Sequence, residues 1–175
     1  MSAEEKKNKA GWTILEDSYY ERFNILSLRK SRRVNPRTGK TIDFVLIDGL
    51  DWVTLIPLTK DNQVVLVRQY RHGCEDFTYE LPGGCVDTGE AAVDAGRREL
   101  LEETGFGAGS IEHLGTFHPN PPMYSMHAHA FVARDVELIG AQNLDGGENI
   151  EVILKPLPEF FRMVRDGDIS HAIVM

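Results

Sequence analysis

Glu99, Glu102 and Glu103 are spaced i, i+3 and i+4, so a helix would carry all three carboxylates on one face. Gly105 follows them where a left-handed cap would end that helix. The C-terminal end of a helix carries partial negative charge, so acids there are unfavourable, and like charges at this spacing also repel. A divalent cation would cancel both faults. Ala92, Ala95 and Gly96, on the same face, are small enough to let a substrate or metal approach. Taken alone, the three acids also suit a solvated face neutralised by Arg97 and Arg98.

The surrounding spacing decides between these readings. From Gly84 there are five residues to Glu90, then seven more to the run Arg98-Glu99-Leu100-Leu101-Glu102-Glu103-Thr104-Gly105-Phe106. This pattern resembles the Nudix box at every defined position, residues 84–106. The resemblance implies hydrolysis of a nucleoside diphosphate linked to another group, on a mixed sheet sandwiched between helices, an α/β (α+β) fold. It implies that Glu99 and Glu103 are the principal metal carboxylates and that Glu102 is a further metal or water ligand. The backbone carbonyl of Gly83 matches a ligand just before the box. Oxygen donors of this kind suit Mg²⁺, with Mn²⁺ able to substitute. Gly84, Glu90 and Arg98 match residues that hold the loop and helix together.

The flanks resemble the ADP-ribose pyrophosphatase and nucleoside-diphosphate-sugar branch of that family. Arg71, in Val67-Arg68-Gln69-Tyr70-Arg71, matches a substrate-contacting arginine, and Glu80 matches a residue near the substrate. Pro121 lies fifteen residues after Phe106, where this branch carries a marker proline. Asp145-Gly146-Gly147-Glu148 resembles the late loop that supplies the catalytic glutamate, with Glu148 at the matching position and Glu151 the next candidate. Three departures bear on sugar choice. Gly83 stands where alanine is usual, Pro122 where glycine is usual, and Met123 to Met126 lack an expected acid.

The elements that must position these groups follow from pattern. Trp12 to Leu15 reads as a short strand, Tyr20 to Val34 as a long one, and Thr41 to Asp48 as its hairpin partner across the Asn35–Lys40 turn. Trp52–Leu58, Val64–Tyr70 and Tyr79–Leu81 read as strands that lead into the box, and Glu90–Thr104 as its helix. Strands are expected near Ile111–Phe117, His127–Ala133 and Ile150–Pro156, then a proline-opened helix over Pro158–Arg165. Ser170 reads as the N-cap of a further helix, which the end of the chain would truncate. The expected organisation is a polar tail over 1–10, N-terminal strands over 11–48 that dimerise, and a catalytic domain over 49–175. A two-stranded hairpin is marginal alone, and this one carries Phe23, Ile25, Leu26, Leu28, Phe44 and Leu46, so a homodimer is expected.

Bulk properties narrow the partners. The 175 residues suit one domain with a core, and 42% are hydrophobic. Lys plus Arg total 19 against 27 Asp plus Glu, a net charge of −8, which argues against a nucleic-acid binder. Phosphates can still bind an acidic protein when metal ions stand between. There is no long apolar span to cross a membrane and no secretory h-region at the N-terminus. Cys74 and Cys85 fit neither a zinc site nor a redox pair, so free thiols in the cytoplasm are expected.

Several side chains stay open. The basic cluster Arg29, Lys30, Arg32, Arg33, Arg37 and Lys40 would either capture phosphate or form a charged edge against aggregation. His127 and His129 share a strand face, as metal ligands or as surface residues. Tyr19, Tyr20 and Phe23 would stack on a base or simply pack. The expected reaction splits ADP-ribose or a related nucleoside diphosphate sugar into a nucleoside monophosphate and a sugar phosphate. Hydrolysis of nucleoside triphosphates, or silent nucleotide sensing, are the alternatives.

Overall fold

The computed structural model describes residues 6–7 and 9–173. It divides into two compact units, residues 1–50 with 120–126, and residues 51–119 with 127–175.

The first unit is a four-stranded antiparallel sheet in the order β1-β2-β3-β4. Its strands are β1 (Lys6–Lys7), β2 (Thr13–Arg22), β3 (Leu26–Val34) and β4 (Thr41–Gly49). The single long strand expected over Tyr20–Val34 is broken, because the Phe23 N–H bonds back to the Leu26 carbonyl at 2.7 Å and turns the chain. The expected hairpin is therefore a meander, and β3 is its middle strand rather than an edge. Residues 120–126 join this unit through backbone bonds between Ile47 and Met123 (2.9 Å) and between Ser125 and Ile47 (3.1 Å). Of the expected polar tail, residues 6–7 pair with β2 and residues 9–10 form a turn; the remainder lies outside the described residues.

The second unit is built on a mixed sheet ordered β12-β6-β5-β10-β9. It contains β5 (Trp52–Leu58), β6 (Gln63–Arg71), β7 (Asp76–Glu80), α1 (Ala92–Thr104), β8 (Phe106–Gly107), β9 (Ser110–Phe117), β10 (Ala128–Arg134), β11 (Glu137–Leu138), β12 (Ile150–Pro156) and α2 (Leu157–Asp166). Among the described strands of this unit, only β10 and β5 pair in parallel. Strand β6 alternates its apolar side chains between the two faces. Val65 packs with Val53, Leu55, Ala95 and Leu100 under α1, and Val64 and Leu66 pack with Phe160, Met163 and Ile169 of the α2 side. This is the expected sheet between helices. Ser170 opens no helix among the described residues, since residues 168–171 carry none and 172–173 form a turn.

One irregularity shapes the site. Strands β5 and β6 are paired at Leu58–Val64, and the segment that follows β7 bonds to β5 farther along. The Leu55 N–H donates to the Pro82 carbonyl at 3.0 Å and the Val53 N–H to the Gly84 carbonyl at 2.9 Å. The start of the box is thus fastened to a central strand before the chain enters α1.

Candidate functional site

Close approach explains both glycines of the loop. A Cβ on Gly83 would collide with the Val53 carbonyl, and one on Gly84 would collide with the Glu99 carboxylate. The loop and the acidic helix therefore meet where side chains have no room. Ala95 and Gly96 serve the same closeness on the sheet side. Ala95 is fully buried, and a Cβ on Gly96 would press on Leu55 at 3.1 Å. Ala95 and Gly96 thus pack α1 onto β5, where the expectation was that they would let a substrate or metal approach.

Helix α1 ends at Gly105, whose φ of 75° is left-handed and whose N–H caps the Leu101 carbonyl. No basic residue stands in its last turn. Glu103 is 3% exposed and accepts a bond from the Gly83 N–H at 2.9 Å. Burial pushes its pKa up to about 8, with Glu99 and Glu148 adding to the rise and the Gly83 N–H and Arg71 offsetting part of it. Burial also raises Glu99, against the pull of Arg98. Arg98 gathers the rest of the box. Its guanidinium bonds Glu90 at 3.0 Å, the Cys85 carbonyl at 3.1 Å, Glu99 at 2.8 Å and Glu102 at 3.2 Å.

Among the described residues, no three His, Cys, Asp or Glu side chains already converge as a coordination shell. Glu99 and Glu102 lean on Arg98, and Glu103 on Gly83. The donor set nonetheless suits a hard divalent cation. It offers three carboxylates and the buried Gly83 carbonyl, which accepts no hydrogen bond among the described residues. That carbonyl lies between those of Pro82 and Gly84, both of which are used by β5.

Arg71 and Glu80 form a two-pronged pair, with both bonds at 2.7 Å. Glu80 is 2% exposed and also accepts from Thr78 and from His171, the latter at 2.9 Å. Burial pushes the Glu80 carboxyl up, but the bonds from Arg71, His171 and Thr78 outweigh it and hold it well below the usual range. With both oxygens taken, Glu80 anchors Arg71. Together with Trp52, Thr78 and His171 they line a cavity of about 430 Å³. His171 stands 91 residues from Glu80, and no sequence spacing pointed to it. Pro121 lines a different cavity, of about 340 Å³, with Trp12, Arg33, Phe44, Leu46 and Pro122 in the first unit.

The late loop reaches the box through the end of α1. Ile139 and Gly140 donate to the Gly105 carbonyl at 2.9 and 3.1 Å, and Asn143 donates to the Glu102 carbonyl at 2.8 Å. The Gln142 side chain bonds the Glu103 carbonyl at 2.6 Å, a contact that no feature of the sequence pointed to. Glu148 is exposed and accepts from the Asp145 N–H at 3.0 Å. Its charge acts on Arg71, Glu99 and Glu103. Glu151 instead pairs with Arg68 at 3.2 Å.

The remaining candidates are occupied otherwise. Arg29 pairs with Asp17 and Asp48 at 3.1 and 2.6 Å, while Lys30 and Arg32 share Asp43 at 2.7 and 2.8 Å. These cations are neutralised inside the first unit, on a middle strand that has no edge to guard. His127 and His129 both approach Asp51, at 3.5 and 3.3 Å, and His127 stacks on His118 with centroids 4.4 Å apart.

The NUDIX domain family model matches residues 50–171. The ADP compounds hydrolase NudE of Escherichia coli (strain K12) is 30% identical over 122 residues, which cover 69% of this chain and 63% of that protein. The chain thus spans less than two thirds of that relative. GDP-mannose pyrophosphatase of Salmonella arizonae is 30% identical over 167 residues, 89% of this chain and 84% of that protein. A crystal structure of an ADP compounds hydrolase superposes with a TM-score of 0.80 at 24% identity, covering 99% of this chain and 91% of that one. With the box on the α1 loop and a family match over most of its length, this chain belongs to the Nudix domain family.

Proposed function

We propose that this protein hydrolyses the pyrophosphate of ADP-ribose or a related nucleoside diphosphate sugar, with a divalent cation, to a nucleoside monophosphate and a sugar phosphate. The observation that carries this reading is Glu103, a buried carboxylate that feels the charge of Glu99 and has no cationic partner in contact among the described residues. Such a charge is costly unless it is paired or bound to metal. Glu99, Glu102, Glu103 and the Gly83 carbonyl would hold Mg²⁺ or Mn²⁺. A cation bound there supplies positive charge to the phosphate oxygens and acidity to a water molecule.

The chain's own residues supply the rest. Glu148 takes the proton from the attacking water as one P–O bond forms and the bridging P–O bond breaks, and the proton then passes to solvent. Its exposure, its loop and the charge it directs at Glu103 favour it over Glu151, whose carboxylate is tied to Arg68. Arg71 presents charge to the leaving phosphate, and Glu80 keeps its fork in place. Arg98 and Glu90 hold the box loop on the helix. The names of the relatives, an ADP compounds hydrolase and a GDP-mannose pyrophosphatase, support a diphosphate rather than a triphosphate substrate.

A second copy of the chain completes the working unit in this reading. In the first unit, Tyr20, Phe23 and Ile25 are 63%, 57% and 54% exposed, a cost to a lone sheet. Among the described residues no helix is long and apolar enough to cross a membrane. Cys74 and Cys85 are free thiols, which suits the cytoplasm.

The test is a hydrolysis panel of ADP-ribose, GDP-mannose, ADP-glucose, UDP-glucose and ATP, with Mg²⁺ or with a chelator. Metal-dependent release of a monophosphate from one of the diphosphate sugars is expected. Full activity in metal-stripped protein, or turnover of ATP alone, would refute the reading.

A further inference from the structure

The last carbonyls of a helix lack partners within it. In α1 the last two glutamates have theirs filled by the segment that follows β11. Glu102 receives Asn143, Glu103 receives the Gln142 amide, and Gly105 receives Ile139 and Gly140. Gln142 also donates to the Ile150 carbonyl at 3.2 Å. Both of its partners are carbonyl acceptors, so its nitrogen must face them.

This one amide therefore joins the two ends of a loop. Residues 143–149 leave from Gln142 and return at Ile150, the first residue of β12. The same nitrogen fixes that neck to the backbone of Glu103. Glu148 stands two residues before Ile150. We propose that Gln142 is a positioning residue that pins the neck of the Glu148 loop to the acid-bearing helix, so that the base is held toward the carboxylates Glu99 and Glu103. The inference rests on the reading of Glu148 as the base. Gln142 touches no reacting atom. It acts by limiting where the Glu148 carboxylate can go, and misplacement of a catalytic group by about 1 Å can cost up to about 100-fold in rate.

The experiment uses the full chain with Gln142→Met, which keeps length and removes both donors. We expect turnover of the preferred diphosphate sugar to fall about tenfold with KM nearly unchanged. In a Glu148→Gln background the same change should cost less than about twofold, since the two act through one group. Amide hydrogen exchange of Asn143 and Glu148 should quicken, while that of Gly105 should stay as in the wild type. Unchanged turnover, unchanged loop exchange, or equal losses in both backgrounds would overturn the inference alone. A Glu148→Gln protein with wild-type turnover would overturn the base assignment and this inference with it. A wild-type chain inactive on every diphosphate sugar would mark the failure of the substrate reading itself.

Discussion

The Glu103 carboxylate accepts a hydrogen bond from the Gly83 N–H at 2.9 Å, across twenty residues of sequence. That bond ties the last turn of α1 to the loop on β5.

Glu103→Gln should lower turnover by about 100-fold or more, because an amide keeps the Gly83 bond but loses the charge that a cation needs. Stability should move the other way in metal-free protein. The folded-state pKa of about 8 lies above the ordinary carboxylate value. Once pH exceeds the unfolded value, the unfolded chain ionises Glu103 while the fold still holds its proton, so stability is lost progressively as pH rises toward 8. The variant should match wild type near pH 4 and melt higher than it near pH 8, read by thermal unfolding in chelator. A lower melting point at pH 8 would contradict this.

Glu148→Gln and Glu151→Gln separate the two candidate bases. The first should cut kcat by about 100-fold or more at nearly constant KM, the mark of a loss confined to the transition state. The second breaks an exposed pair with Arg68 and should leave kcat within about threefold of wild type. Steady-state kinetics reversing this order would move the base to Glu151.

Glu80→Gln tests the anchor beneath Arg71. Glu80 has a depressed folded pKa, so its contribution is present above its unfolded value and is lost as pH falls through the folded one. The variant should lose about 1–2 kcal/mol at neutral pH, a modest figure because Arg71 is 36% exposed. The acid limb of its stability curve below about pH 4 should be flatter than that of wild type. KM for the diphosphate substrate should rise, since an unanchored Arg71 samples other positions. Urea titrations at several pH values and steady-state kinetics would check each part.

Phe23→Glu tests the second copy. Light scattering of wild type should report about twice 19.7 kDa. Phe23 is 57% exposed in the first unit, so a glutamate there should leave that sheet folded and place a charge in the contact. A monomeric variant with weaker substrate binding is expected. A wild type that is monomeric and fully active at micromolar concentration would remove the dimer from this account.

The sequence by itself determined the box and the helix beneath it. Glu99, Glu102, Glu103 and Gly105 are bound by local periodicity, and a helix that ends at a glycine needs nothing distant to define it. The strands around the box were legible for the same reason, since alternation of apolar side chains is a local signal. The break in the first long strand was not, because the Phe23–Leu26 bond competes with extension by only a small energy. The role of the small helix residues is not legible in the sequence either. Ala95 and Gly96 look permissive in sequence, and only the packing of α1 on Leu55 shows what fills the space. His171 on Glu80 and Gln142 on Glu103 were decided wholly by tertiary structure. Each satisfies a backbone or carboxylate oxygen contributed by a distant part of the chain, and such a partner is chosen by where the fold brings it, which no spacing along the chain encodes.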